Sequence, residues 1–137
     1  NKEEKLGQLF MIGAYPEQGS SDEKEVLRAI EQHSIGGIIF FRGHEDRIAK
    51  LTNAYQKNSK KIPLMMALDA EWGTNMRVSN AIKYPRQLMM GALQNNGLIY
   101  EFGAAVAQEC KAMGIHINFA PVADVNSNPN NPVIGFR

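Results

Sequence analysis

Short apolar bursts alternate along this chain with longer stretches whose apolar residues recur at helical spacing. Leu9 to Ala14 is the first burst, closed by Tyr15-Pro16, and it reads as a strand. Pro16 to Asp22 has the composition of a loop. Ser21 or Asp22 can cap a helix running to about His33, with Val26, Leu27 and Ile30 on its inner face. Gly36-Gly37 then leads into Ile38-Ile39-Phe40-Phe41, a second strand, with Arg42, Gly43 and His44 just beyond it. A second helix is predicted over about Glu45 to Asn58, carrying Ile48, Leu51 and Tyr55 at helical spacing. Pro63 admits a third strand, Leu64 to Leu68, an unbroken apolar run that suits burial on both faces of a parallel sheet.

The pattern then loosens. Arg77 to Asn96 is irregular, with Pro85-Arg86, the apolar Leu88-Met89-Met90, and a short helical turn expected at Gly91 to Leu93. Leu98, Phe102, Val106, Cys110 and Met113 mark the clearest helix, and Gly114 stands where a left-handed cap belongs. Ile115 to Val122 reads as a fourth strand, and the asparagine-rich stretch from Asp124 to Arg137 as loop. Strand and helix thus alternate, which predicts an α/β protein with parallel (β/α) winding. Periodicity leaves two architectures: a small open doubly wound sheet, or the N-terminal half of a TIM-like (β/α)8 barrel. A polar loop after strand four, with no closing helix, favours the half-barrel.

Composition narrows the function classes. The chain has 137 residues, 44% hydrophobic and 21% charged, which describes a globular protein with a sizeable core. Its formal charge of +1 offers no electrostatic footprint for nucleic acid. No apolar run approaches the roughly 18 residues of a membrane span. Cys110 is the single cysteine, so no internal disulfide forms.

Candidate chemistry gathers where the third strand stops. Asp69, Glu71, Trp72 and Arg77 follow Leu68 within a few residues. Burying such polar groups is costly, and the C-terminal end of a parallel strand is where α/β folds bind ligands. Asp69 and Glu71 form a close acid pair, yet residues at i and i+2 on one loop rarely face one substrate atom. The bland alternative is that one caps a turn and the other pairs with Arg77. Trp72 is either a platform for the apolar face of a sugar or packing beneath the loop. Arg77 either forks hydrogen bonds to ligand hydroxyls or makes a structural ion pair. His33, His44 and His116 have no metal-ligand spacing, and His116 reads as a satisfied core residue within a strand. Cys110 reads as inert packing. Gly36-Gly37 lies at the wrong end of its strand for a phosphate loop.

Several motifs in series carry a resemblance. They are Lys5 to Met11, Gly36 to Phe40, Ile62-Pro63-Leu64 into Asp69-Ala70-Glu71, Pro85-Arg86, Gly114 to Val125, and Asn131 to Arg137. In this order and spacing the chain resembles the N-terminal barrel domain of glycoside hydrolase family 3, in its bacterial β-N-acetylglucosaminidase (β-hexosaminidase) branch. The resemblance covers nearly the whole chain and makes residues 1–137 the N-terminal part of such a barrel. It implies an exo-acting enzyme that removes terminal β-linked sugars with retention, through a covalent glycosyl-enzyme, with no metal or cofactor. It also implies that Asp69, Arg77 and Arg137 hydrogen-bond hydroxyls of the sugar to be cleaved. The Lys-His pair, the His-Asp acid/base loop and the aspartate nucleophile of the family pattern fall after Arg137, so no catalytic residue is expected in this chain. Where this chain has Trp72 the family usually has a second glycine, a variant similar to that of Bacteroidetes-type members, some of them lipoproteins. A periplasmic or lipoprotein-anchored setting follows from that likeness. Competing readings are a β-glucosidase of the same family, a non-catalytic carbohydrate-binding or assembly module, and an unrelated doubly wound binding protein. Carbohydrate is the expected partner, and a half-barrel with open edges is expected to self-associate.

Overall fold

A computed structural model describes every residue except Phe136, and all side chains but those of Gln18 and Ser20 as well. Four strands, β1 (Met11–Ala14), β2 (Gly37–Phe40), β3 (Met65–Leu68) and β4 (Ile117–Asn118), form one parallel sheet in the order β1-β2-β3-β4. Helices α1 (Lys2–Gly7), α2 (Ser20–His33), α3 (Glu45–Asn58), α4 (Gln87–Met90) and α5 (Asn96–Ala112) stand before and between them. This is the (β/α) winding expected of the first half of a TIM-like barrel.

The ladder is in register across the sheet. Ala14, Phe40, Leu68 and Asn118 share one level, and Ile12, Ile38 and Met66 share the level two residues below. These side chains face the helices: Phe40 stacks on Tyr55 of α3, with centroids 6.2 Å apart. Val26 and Ile30 from α2, Ile48 and Leu51 from α3, Val106 and Cys110 from α5, and Met113 at the C-cap of α5 complete that core. The other face is less covered. Ile39 and Ile117 are half-buried and Met65 is 45% exposed. The expected burial of the strands on both faces therefore holds for the helix side, while the side that would line a barrel interior stays partly open.

Several boundaries differ from the sequence reading for physical reasons. Leu9 and Phe10 are exposed and belong to a turn, because the residues before them form α1, closed by bonds from Leu9 N to Leu6 O and Phe10 N to Gly7 O. Asn1 and Glu4 form a capping box at the start of that helix. Helix α2 begins with Gly19 as its cap and without a side-chain capping bond. Asp22 instead accepts a 2.8 Å hydrogen bond from the Tyr15 backbone, tying the end of β1 to the first turn of α2. The fourth strand is two residues long, not eight, and a short helix forms at Gln87–Met90, just before the turn expected at Gly91 to Leu93. Gly114 does adopt positive φ (74°) after α5, as the cap reading requires. Among the described residues no helix is long and apolar enough to cross a membrane.

One buried group yields a prediction. The Tyr55 hydroxyl is buried without a hydrogen-bond partner among the described residues, and burial followed by the charge of Asp22 pushes its pKa from 10.0 to about 12. Because the folded value is raised, the stability it permits is intact below pH 10 and is lost as pH rises towards 12. Tyr55→Phe should raise stability by about 1 kcal/mol at pH 7, since a stranded polar atom disappears and the ring stays. Its advantage over wild type should widen above pH 10, as read by urea denaturation at pH 7 and pH 11. A loss of stability at pH 7 would show that the hydroxyl has a partner.

Candidate functional site

The level above Ala14, Phe40 and Leu68 belongs to Tyr15, Phe41 and Asp69, the first residues past β1, β2 and β3. Side chains alternate along a strand, so these three turn to the side away from the helices. The Phe41 amide still bonds Ala14 O at 2.8 Å, which carries the ladder into this level. A strand end therefore contributes a ring, a second ring and a carboxylate to the same face.

Asp69 is paired. Arg77 Nη2 stands 2.6 Å from Asp69 Oδ2, and Arg77 Nε donates to the Asp69 backbone carbonyl at 3.1 Å. Both side chains are about one-fifth exposed (Arg77 20%, Asp69 23%), so the pair is sheltered yet reachable. A 3-10 turn at Thr74–Met76 delivers Arg77 back beneath the strand end. Its backbone carbonyl then accepts from Gly43 N at 2.9 Å, and Ser79 N bonds Gly43 O at 3.0 Å. The loops after β2 and β3 are thus laced together on both sides of Val78, immediately after Arg77. Its guanidinium also lies over the Phe41 ring, 5.0 Å from the centroid.

Glu71 has a different partner. It is 7% exposed, and Arg137 Nε stands 3.0 Å from its Oε2, an ion pair that is not aligned as a hydrogen bond. Gln87 donates to the Glu71 backbone carbonyl. The stretch ending at Arg137 is thereby drawn to the loop after β3. It is Asp69, not Glu71, that pairs with Arg77, so each acid of the sequence pair has its own arginine. Trp72 is half-buried, and the Arg86 guanidinium stands over its ring, 4.9 Å from the centroid. A cation occupies that ring face, which a sugar platform would need clear.

Two further devices hold the loop. Gly73 has φ 103°, and a Cβ there would lie 2.6 Å from the Tyr84 ring, so only glycine fits. Tyr84 in turn meets Phe102 of α5 edge-on at 4.9 Å. Asn118, on β4, clamps Ala70 by accepting from its amide at 2.9 Å and donating to its carbonyl at 3.4 Å. Thr74, fully buried, donates to Glu109 of α5. Tyr15, Phe41, Asn118 and Glu109 were not singled out in the sequence. The parity of Tyr15 and Phe41 with Asp69 was readable in principle, but only once the register was known.

Other candidates lie elsewhere. His116 is exposed, not core, and is satisfied: its Nδ1 accepts from Met66 N at 3.0 Å while its amide donates to Met66 O at 2.8 Å. His44 is 3.7 Å from Asp46, and His33 ends α2 on the surface. The Cys110 thiol is pushed up to about 11 by burial and then by the Glu109 charge, which suits packing. Among the described residues no three His, Cys, Asp or Glu side chains gather to hold a metal ion. A cavity of about 470 Å³ between α5 and β4 is lined by Glu71, Phe102, Val106, Cys110 and Asn118, but not by Asp69 or Arg77.

Against this geometry, the model of the glycosyl hydrolase family 3 N terminal domain matches residues 2–137, and the chain belongs to that family. Among curated relatives it is 37% identical over 125 residues to beta-hexosaminidase A of Pseudoalteromonas piscicida, covering 82% of this chain and 21% of that protein. It is 25% identical over 136 residues to a beta-N-acetylglucosaminidase/beta-glucosidase of Cellulomonas fimi, covering 99% of this chain and 23% of the relative. Among solved structures, a fungal multi-domain family 3 beta-N-acetylglucosaminidase superposes with a TM-score of 0.82 at 30% identity, over 98% of this chain and 16% of that one. The chain therefore spans only 16% to 23% of the length of these proteins.

The Asn118 clamp gives a prediction. Asn118→Ala leaves the Ala70 amide without its partner beside the site and should destabilise the fold by about 1–3 kcal/mol. Urea denaturation reads the change. A shift under about 0.5 kcal/mol would show that another group takes over the amide.

Proposed function

We propose that this chain is the N-terminal, sugar-binding part of an exo-acting retaining glycosidase that removes terminal β-linked N-acetylglucosamine from glycans or peptidoglycan fragments. The observation that carries the reading is the Asp69–Arg77 pair, presented just past β3 at the end of the strands where barrels bind ligands. An arginine with five N–H donors uses two on Asp69 and keeps others for hydroxyls, while Asp69 accepts from a hydroxyl donor through its free lone pairs. Arg137, held by Glu71, supplies a second cation of the same kind. The hexosaminidase names of the relatives support N-acetylglucosamine as the sugar. The double name of the Cellulomonas fimi relative keeps a β-glucoside as the second reading.

In the full-length gene product, Asp69→Ala should remove contacts that tighten in the transition state. The expected loss is about 2–4 kcal/mol, or about 30- to 900-fold in kcat/KM on a chromogenic β-N-acetylglucosaminide. An unchanged kcat/KM would reject the role of Asp69. Wild-type turnover of the β-glucoside alone would replace the first reading with the second.

The 137-residue polypeptide by itself should hydrolyse neither substrate, because by the family pattern the nucleophile and the acid/base group lie outside it. It should also self-associate. Among the described residues β1 and β4 each have an unpaired edge, the partly open sheet face carries Met65 and Ile39, and Leu9 and Phe10 are exposed as well. Light scattering with a hydrophobic dye tests this: a soluble 15.2 kDa monomer that binds no dye would reject self-association.

A further inference from the structure

We infer that Phe41 and Tyr15 are positioning residues for Arg77: a two-ring back-plate that fixes the plane of its guanidinium toward the ligand. The inference rests on the sugar-binding reading of Asp69 and Arg77 but concerns residues that the family motifs do not mark. Tyr15 and Phe41 stack with centroids 5.3 Å apart and ring planes within 16°. The Arg77 guanidinium lies 5.0 Å from the Phe41 centroid, and its edge meets Asp69 at 2.6 and 3.1 Å. The order is Tyr15, Phe41, Arg77, Asp69, and every member but Arg77 comes from the first position past its own strand.

The sequence makes room for this column. A Cβ at Gly13 would lie 3.3 Å from the Tyr15 ring and 3.4 Å from the Phe41 ring, so the strand beneath the rings lacks a side chain where they rest. Tyr15 is anchored through its amide to Asp22, and the Arg77 backbone is anchored by Gly43. With the backbone fixed and one guanidinium edge on Asp69, the Phe41 ring is the support that remains for the guanidinium face. A π face attracts a guanidinium plane and excludes water from that side. The remaining N–H donors, on Nη1 and the second of Nη2, lie in the same plane and point away from the Asp69 edge, free for a ligand. Holding a binding group in place before the substrate arrives lowers the ordering needed in the transition state.

The test is a functional-group cycle in the full-length gene product. Phe41→Leu keeps apolar volume but loses the π face, and Phe41→Tyr keeps both. Phe41→Leu should lower kcat/KM on an aryl β-N-acetylglucosaminide about tenfold, and Phe41→Tyr by less than about twofold. Monodeoxy analogues locate the contact: on the analogue whose missing hydroxyl makes Arg77→Lys harmless, Phe41→Leu should match wild type. Equal losses on all analogues, or a Tyr variant as poor as the Leu variant, would overturn the inference and leave Phe41 a packing residue. A second readout needs no turnover. Modification of Arg77 by phenylglyoxal, normalised to the exposed Arg28 and mapped by mass spectrometry, should speed up about tenfold in Phe41→Leu and not in Phe41→Tyr. An unchanged ratio would also overturn it. If wild type turns over no glycoside, the proposed function falls while the modification rates still decide the positioning role. Tyr15→Leu, at a ring 41% exposed, replaces Phe41→Leu if that variant does not fold.

Discussion

The parallel ladder, held in register across β1, β2 and β3, is the constraint from which the site follows. Because Ala14, Phe40 and Leu68 are level, the residues after them are level too, and the alternation of strand side chains turns all three to one face. A slip of one residue in any strand would send its ring or carboxylate into the helix layer instead. Register is secured from the other side of the sheet. Ile38, Phe40, Met66 and Leu68 are fully buried against α2, α3 and α5, and each would be exposed by a slip. Apolar burial on the helix face thus fixes polar geometry on the opposite face.

The loop after β3 could not hold its acids by the ladder alone. It is tied to three neighbours: to the loop after β2 through Gly43 and Arg77, to β4 through Asn118, and to α5 through Thr74 and Tyr84. Each tie satisfies a polar group or packs a ring, so the loop is ordered by the same accounting that orders the core. Arg42, a non-glycine residue at φ 48°, sits next to Gly43, the residue that reaches Arg77. Left-handed backbone costs a residue with Cβ about 1 kcal/mol, and the bonds that Gly43 makes to Arg77 O and Ser79 N offset it.

The winding and the long helices were legible in the sequence because apolar spacing over ten or more residues reflects a single face. Glu45–Asn58 was placed to the residue. The site was legible as a cluster, since Asp69, Glu71, Trp72 and Arg77 follow an apolar run, but its pairing was not. Which acid meets Arg77 depends on the 3-10 turn at Thr74–Met76, whose sequence has no strong local signal. Tyr15 and Phe41 read as the tails of apolar bursts, and only the register assigns them to the site. The length of the fourth strand failed for a related reason: an apolar run signals burial, whereas strand length needs a partner ladder, and β4 meets β3 at only two positions. His116 illustrates the same limit. Its position in an apolar run suggested a core residue, yet its ring serves as a backbone acceptor at the surface.

The two acid–arginine pairs differ in a way that bears on function. A largely buried ion pair such as Asp69–Arg77 is weak evidence for stability, because desolvating two charges offsets much of their attraction. Its alignment, with Nε on the backbone carbonyl and Nη2 on the carboxylate, is therefore better explained by what it presents than by what it stabilises. Glu71 is the opposite case. Its carboxylate is nearly buried, and Arg137 stands at ion-pair distance without donating a hydrogen bond to the buried oxygen. A buried carboxylate so incompletely satisfied is costly, and an arginine drawn to it is held by a need that outlasts ligand release. On the proposed sugar-binding reading Asp69 presents Arg77 to the ligand, whereas Glu71 holds Arg137 beside the same loop. The acid pair that looked in sequence like two halves of one chemistry is thus divided between two arginines, one acid partly exposed and the other nearly buried.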